Sequence, residues 1–259
     1  MNIKKEYLGG GIYVFCSDTH RFGTDAVLLE AFAMQTNATS AKPKSIIDLG
    51  CGCGIIPMLF ARDTKDSTAK ITALDIQSEA AELTQKAVDY NKLGERVRVI
   101  NADLNDIAAQ HRDLHGGFEL VTMNPPYKRQ GSGLMTENEG LNIARFELKC
   151  DFDGICKAAK LLLKNKGRFC VCNRPARLAD MIFAMKNNGI EPKRLQNVAQ
   201  RQGDKPMLVL LEGIVGANAD MTVLPTLYLE DNNGKMTADC AKIYEKWEYE
   251  RKNSVGRES

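Results

Sequence analysis

The sequence predicts an α/β protein built on a doubly wound sheet of seven strands, with an antiparallel strand pair at its end and a short N-terminal hairpin. Three observations carry that prediction. From Ser45 onward, short apolar runs alternate with helical segments, the pattern of a parallel sheet covered on both faces. The first run passes into Gly50-Cys51-Gly52-Cys53-Gly54, a tight turn opening a helix. The last two runs, 194–200 and 207–215, are separated only by a turn at Gly203-Asp204, so they pair antiparallel.

Taken in order, residues 2–16 read as the hairpin. Gly9-Gly10-Gly11 makes the turn, and Ile12, Val14 and Cys16 alternate with Tyr13 and Phe15. His20 to Asp25 form a loop ending in Thr24 or Asp25, either of them a good cap for an apolar helix to Met34. Ser45–Leu49 is a buried strand. After the glycine turn a helix begins near Ile55, with Pro57 tolerated in its first turn. Ile71–Leu74 is a strand ending in Asp75. Ser78 caps a helix to Asn91, and Val97–Ile100 is a strand leading to Asn101-Ala102-Asp103. Phe118–Met123 is the fourth strand, because two prolines follow and each would remove a ladder donor. Phe152–Leu163 is a helix stopped by Asn165-Lys166-Gly167. Phe169–Cys172 is a strand and Arg177–Asn188 a helix. The reading is one domain over 1–245, with a hairpin and covering helix at 1–40 and a C-terminal tail at 246–259.

Composition narrows the class. The 259 residues are 44% hydrophobic and 26% charged, ordinary values for a globular chain. A net charge of +2 leaves nucleic-acid binding to a local basic face. The eight cysteines form no C-x-x-C pair, so no metal is expected, and free thiols in this number suit a reducing cytoplasm. Cys170 and Cys172 alternate on one strand face and are read as small buried side chains. No apolar run approaches the roughly 20 residues that span a bilayer, and residues 1–12 have no signal-peptide core. His20, His111 and His115 fall in no motif and are read as surface or capping residues.

The chemistry concentrates at the carboxyl ends of the strands, where open α/β sheets bind ligands. Asp48-Leu49-Gly50-Cys51-Gly52-Cys53-Gly54 lacks the G-x-G-x-x-G spacing of a dinucleotide loop, since residue 55 is Ile and residue 57 is Pro. It also lacks a phosphate-binding Gly-Lys-Ser/Thr. It suits a cofactor with a positive amino-acid end and no pyrophosphate, as in S-adenosylmethionine. Asp75 can accept from both ribose hydroxyls, and Asp103 from the adenine amine, unless Asp103 caps the turn at Leu104. Asn124-Pro125-Pro126-Tyr127 is the specific signal. An amine on an aromatic ring is a poor nucleophile because its lone pair is delocalised. The Asn124 side-chain oxygen and the Pro125 carbonyl can accept both N–H bonds and favour the pyramidal form with a localised pair. Tyr127 supplies a stacking face for a base. Lys128, Arg129, Arg145, Arg174, Arg201 and Lys205 are candidates to hold phosphates.

With these residues in this order, the chain resembles the class I S-adenosylmethionine-dependent amino-methyltransferases, whose sheet is Rossmann-like. Arg21 to Leu29, Asn142-Ile143-Ala144-Arg145, Gly189 to Arg194 and Thr222-Val223-Leu224-Pro225 resemble more narrowly the bacterial family that N6-methylates adenine 37 of a valine tRNA. The resemblance implies tRNA as partner and a cytoplasmic location. It implies that Asp48, Gly50, Gly52 and Gly54 border the methionine moiety, that Asp75 holds the ribose and Asp103 the adenine, and that Cys51, Ile76 and Leu104 also line the cofactor. Arg21, Phe22, Thr24 and Asp25 would close over the cofactor, with Asn124 beside it. The chain departs from that family at Phe146-Glu147, where His-Glu is usual, and at Pro206-Met207-Leu208, which replaces a more basic stretch. The motif also fits other planar amines: a protein glutamine amide, or a base in DNA or rRNA. A non-catalytic RNA-binding module on the same fold is the rival of another class.

Overall fold

The computed structural model describes residues 2–35, 42–125 and 152–245. Pro126, Tyr127, Lys128, Arg129 and Arg145 lie outside the described residues, as do the Gly131–Gly140 stretch and the tail from 246.

The hairpin is β1 (Lys4–Tyr7) and β2 (Tyr13–Cys16), paired antiparallel. The main sheet contains β3 (Ser45–Leu49), β4 (Lys70–Asp75), β5 (Val97–Asn101), β6 (Phe118–Met123), β7 (Leu163–Asn173), β8 (Ile190–Ala199) and β9 (Leu208–Val215). Two-residue strands β10 (Thr222–Val223) and β11 (Leu227–Tyr228) join β8 in parallel, so the sheet has nine strands rather than seven. The order is β5-β4-β3-β6-β7-β9-β8, with β9 antiparallel to both neighbours. Two strand starts differ from expectation. β8 begins at Ile190, four residues early, because its ladder tolerates Pro192 at a register irregularity between Pro192 and Arg194. β7 starts at Leu163, directly after a helix. The bend signalled by Asn165-Lys166-Gly167 survives as a shift in register, with Lys166 left-handed at φ 61. Tertiary pairing thus carried the ladder across a local turn signal.

Helices α1 (Thr24–Met34), α2 (Ile55–Asp63) and α3 (Ser78–Tyr90) cover one face. α4 (Ile107–Gln110), α5 (Phe152–Leu162) and α6 (Leu178–Asn187) cover the other. Strand alternation divides the core between them: Ile46, Leu120, Cys170 and Leu210 point to the first face, and Ile47, Val121, Val171 and Leu211 to the second. The expected caps differ. Gly23 caps α1 and Gln77 caps α3, neither through a side chain, and Ser78 is already helical. His20 is buried rather than on the surface, with Nδ1 3.3 Å from Glu79 Oε1. Residues 238–245 are helical, and Tyr244 bonds to Thr24 at the start of α1. No helix among the described residues is long and apolar enough to cross a membrane.

Candidate active site

Topology makes the crevice. The chain runs from β3 outward through β4 and β5, then returns to β6 on the other side of β3. That reversal is a switch point, where loops leaving adjacent strands part in opposite directions. Leu49 lies beside Met123 in the ladder, so Gly50 and Asn124 leave the sheet side by side. The apolar β3 and β6 fix that register, and the prolines after Asn124 fix where β6 stops.

Two acidic side chains close the base of the crevice. Asp48 is 1% exposed and accepts a 2.6 Å hydrogen bond from Thr122 Oγ1, across the β3–β6 pair. Burial pushes its carboxyl up to about 8, against the opposing effect of that bond. Asp75, at the end of β4, accepts from the Gly52 amide at 2.8 Å and from the Gln77 amide at 2.9 Å. Burial also raises Asp75, opposed by these two bonds. Each Asp75 oxygen keeps a further lone pair for a hydroxyl. Ile76, half exposed, follows it with an apolar face.

The glycines divide by role. Gly50 and Gly52 have positive φ, and a Cβ on Gly52 would meet nothing within 4 Å. A Cβ on Gly50 would meet only the end of Met123, at 3.8 Å. This loop leaves room for a ligand against bare backbone. Gly54 does not face that space: a Cβ there would lie 2.7 Å from Thr84 Oγ1 of α3. The Cys51 thiol also turns to Thr84 Oγ1, at 3.6 Å, and is buried. Gly54 and the Cys51 side chain therefore pack the loop on α3. Thr84, which also donates to the Gly52 carbonyl at 3.1 Å, escaped the sequence reading. An unusually close helix behind a glycine was its only signal.

Asn124 sits at the mouth. Its Nδ2 donates to Asp25 Oδ2 at 3.0 Å, and its Oδ1 accepts from Cys172 Sγ at 3.1 Å. Pro125 is buried behind it. The strap before α1 is tied to α3: Ser17 Oγ and Thr19 Oγ1 donate to Glu79 Oε1 at 2.9 and 2.7 Å. Phe22 is packed against the core, while Arg21 is exposed and paired with Asp18 at 3.0 Å. Asp103 spends one oxygen on the Asn105 backbone and side chain, at 2.9 and 3.0 Å, so it caps its own turn. Leu104 is partly buried beside it. Arg174 leaves β7 at the crevice edge, its amide bonded to Asn173 Oδ1. Arg201 reaches Glu230 Oε2 with both Nε and Nη2, at 3.1 and 2.7 Å, and Lys205 is exposed in the same β8–β9 loop. Because β8 runs parallel to β7 and β6, that loop lies at the crevice end of the sheet.

A bare-backbone loop between two carboxylates, with no lysine and no serine or threonine for a phosphate, fits the methyl donor S-adenosylmethionine. Comparison with known proteins agrees. Residues 11–151 match the methyltransferase small domain family, and the chain belongs to that family. Among solved structures, a protein described as a predicted O-methyltransferase from Agrobacterium tumefaciens superposes with a TM-score of 0.66. It is 21% identical and covers 86% of this chain and 96% of its own. The geranyl diphosphate C-methyltransferase of Streptomyces coelicolor, solved with S-adenosyl-L-homocysteine, has a TM-score of 0.50 at 11% identity, covering 72% and 78%. These establish the fold. Among curated relatives, the tRNA1(Val) (adenine(37)-N6)-methyltransferase of Cronobacter sakazakii is 27% identical over 74% of both chains. The protein of that name from Photorhabdus laumondii is 29% identical over 72% of both.

Proposed function

We propose that the chain transfers a methyl group from S-adenosylmethionine to N6 of an adenine in tRNA, at position 37 beside the anticodon of a valine tRNA. The observation that carries this reading is Asn124, at the carboxyl end of β6, next to the open glycine loop of a methyltransferase-family chain. The names and extent of the curated relatives support the substrate.

When bound, S-adenosylmethionine supplies a methyl group on a sulfonium, already electrophilic. The Gly50 to Gly52 backbone would border its methionine part, with Asp48 below. The free acceptor sites of Asp75 would hold the ribose hydroxyls, and Ile76 would lie against the adenine. The target adenine leaves its stack to enter the crevice, as a base must for chemistry on its edge. Asn124 Oδ1 and the Pro125 carbonyl then accept from the target amine and localise its lone pair. The amine becomes acidic only as the methyl arrives, so no strong general base is needed at the amine. Arg174, Arg201 and Lys205 would take phosphates at the crevice end. A tRNA-modifying role puts the protein in the cytoplasm.

The test is transfer of labelled methyl from S-adenosylmethionine to unmodified tRNA, followed by nucleoside analysis. N6-methyladenosine carrying label is the expected result. Cofactor binding without label in any tRNA would overturn the reading.

A further inference from the structure

Asn124 is held at both ends of its side-chain amide, and neither partner belongs to the Asn-Pro-Pro-Tyr stretch. Asp25 comes from the first turn of α1 and Cys172 from the end of β7, 99 and 48 residues away along the chain. The two ends of a carboxamide are nearly the same shape and differ only in what they offer: one donates, the other accepts. An ionised carboxylate accepts and has nothing to donate. The Cys172 thiol, fully buried, donates on the opposite side.

Given the adenine-N6 transfer proposed above, on which this step rests, the geometry points to Asp25 and Cys172 as positioning residues that choose the flip of Asn124. With NH2 committed to Asp25, the oxygen must face the other way. One lone pair takes the thiol and the second is presented to the target amine. The opposite flip would set NH2 against NH2 and leave the amine only the Pro125 carbonyl as acceptor. Burial of Cys172 keeps water from replacing the thiol. The α1 N-terminus thereby acts on the reacting group through Asn124.

The experiment uses the full chain, unmodified tRNA and S-adenosylmethionine. Asp25→Asn preserves size but offers an amide that both donates and accepts, so the flip is no longer dictated. The expected loss in kcat is about 10- to 100-fold. The KM for tRNA and the calorimetric affinity for S-adenosylmethionine should stay within about 3-fold of the parent. Cys172→Ala should also lower kcat, and Cys172→Ser, which retains a donor, should recover most of that loss. In the ligand-free protein, the side-chain amide resonances of Asn124, assigned by their disappearance in Asn124→Ala, should shift in Asp25→Asn and in Cys172→Ala. Wild-type kcat in Asp25→Asn, or loss of cofactor affinity in step with kcat, would overturn the positioning role. Absence of transfer to tRNA by the parent chain would sink the adenine reading instead. Failure of the positioning role is then separately visible as an Asn124 amide unmoved by Asp25→Asn.

Discussion

At the scale of single residues, Asp48 and Asn124 illustrate opposite demands. Asp48 is a carboxylic acid buried with a hydroxyl partner, and its raised pKa of about 8 has a direct consequence for stability. Between the ordinary carboxylate value and about 8, the unfolded chain is ionised at this position while the folded chain keeps its proton. The folded state binds more protons, so stability falls as pH rises through that window and levels off above it. The shift corresponds to about 6 kcal/mol across the window. Asp48→Asn removes that penalty. Its melting temperature should exceed the parent's at pH 8 by several degrees, and the gap should narrow as the pH falls toward 4, read by thermal unfolding at several pH values. The same variant should bind S-adenosylmethionine more weakly, which would show that the cost is retained for the ligand. Asn124 carries no such cost, being only partly buried with both amide ends bonded. Asn124→Ala should abolish methyl transfer while calorimetry shows cofactor binding nearly intact. Parallel loss of both would mean that the residue holds the crevice together rather than acting on the amine.

Among elements, the contact between the glycine loop and α3 decides the shape of the crevice. Gly54 precedes α2 with φ 82, and its missing side chain is replaced by Thr84. Gly54→Ala meets two obstacles: left-handed backbone, costing about 1–2 kcal/mol, and overlap with Thr84, costing typically 1–3 kcal/mol. Adding Thr84→Ala should relieve the overlap but leave the backbone strain. The double variant should therefore recover part of the lost stability in denaturant unfolding. Full recovery would show that conformation at residue 54 does not matter, and no recovery that Thr84 is not the obstacle. The glycine pattern was legible in the sequence, but its division into ligand-facing Gly50 and Gly52 and helix-facing Gly54 was not. That division depends on where α3 lies, and α3 is placed by its own apolar face, Leu83, Ala87 and Val88, against the sheet. The cap of α1 differs from the sequence expectation for a related reason. Thr24 and Asp25 have cap-forming side chains, yet Thr24 bonds Tyr244 and Asp25 bonds Asn124, so tertiary partners took them.

Across the whole molecule, a buried ionic network joins the antiparallel half of the sheet to α1. Glu212 on β9 is 3% exposed. It accepts from Arg168 on β7 at 2.8 Å and from Arg194 on β8 through two bonds of 2.8 Å. Arg194 also donates to the Phe32 carbonyl and lies over the Phe32 ring at 4.6 Å. Burial alone would raise the Glu212 carboxyl, but Arg194 and Arg168 outweigh it and hold it below the usual value. The network contributes stability above the ordinary glutamate pKa and loses it as the pH falls through the lowered one. Glu212→Gln leaves two part-buried guanidinium groups without their anion and should cost about 2–3 kcal/mol in chemical denaturation at neutral pH, less at acid pH. A cost near zero would show that water already compensates the arginines. On the same scale, the net charge of +2 means that the RNA binding proposed above must draw on a local basic face rather than the whole surface. Among the residues proposed for that face, Arg201 is already engaged by Glu230, and a phosphate would have to compete for it.

The sequence by itself determined the strand and helix alternation, the glycine loop, the acidic strand ends and the stop after Met123. All are local: hydrophobic period, backbone freedom at glycine and the missing donor of proline act within a few residues. It also supplied the amide and the proline-linked carbonyl at the end of β6, the two groups proposed to accept from a target amine. Only the tertiary structure decided that Asp25 and Cys172 grip that amide, that Thr84 fills the space at Gly54, that His20 is buried against Glu79, and that two short strands extend the sheet to nine. Each of these contacts joins residues far apart along the chain. Their meeting depends on strand order and register, which packing of the two apolar faces sets and no local pattern encodes.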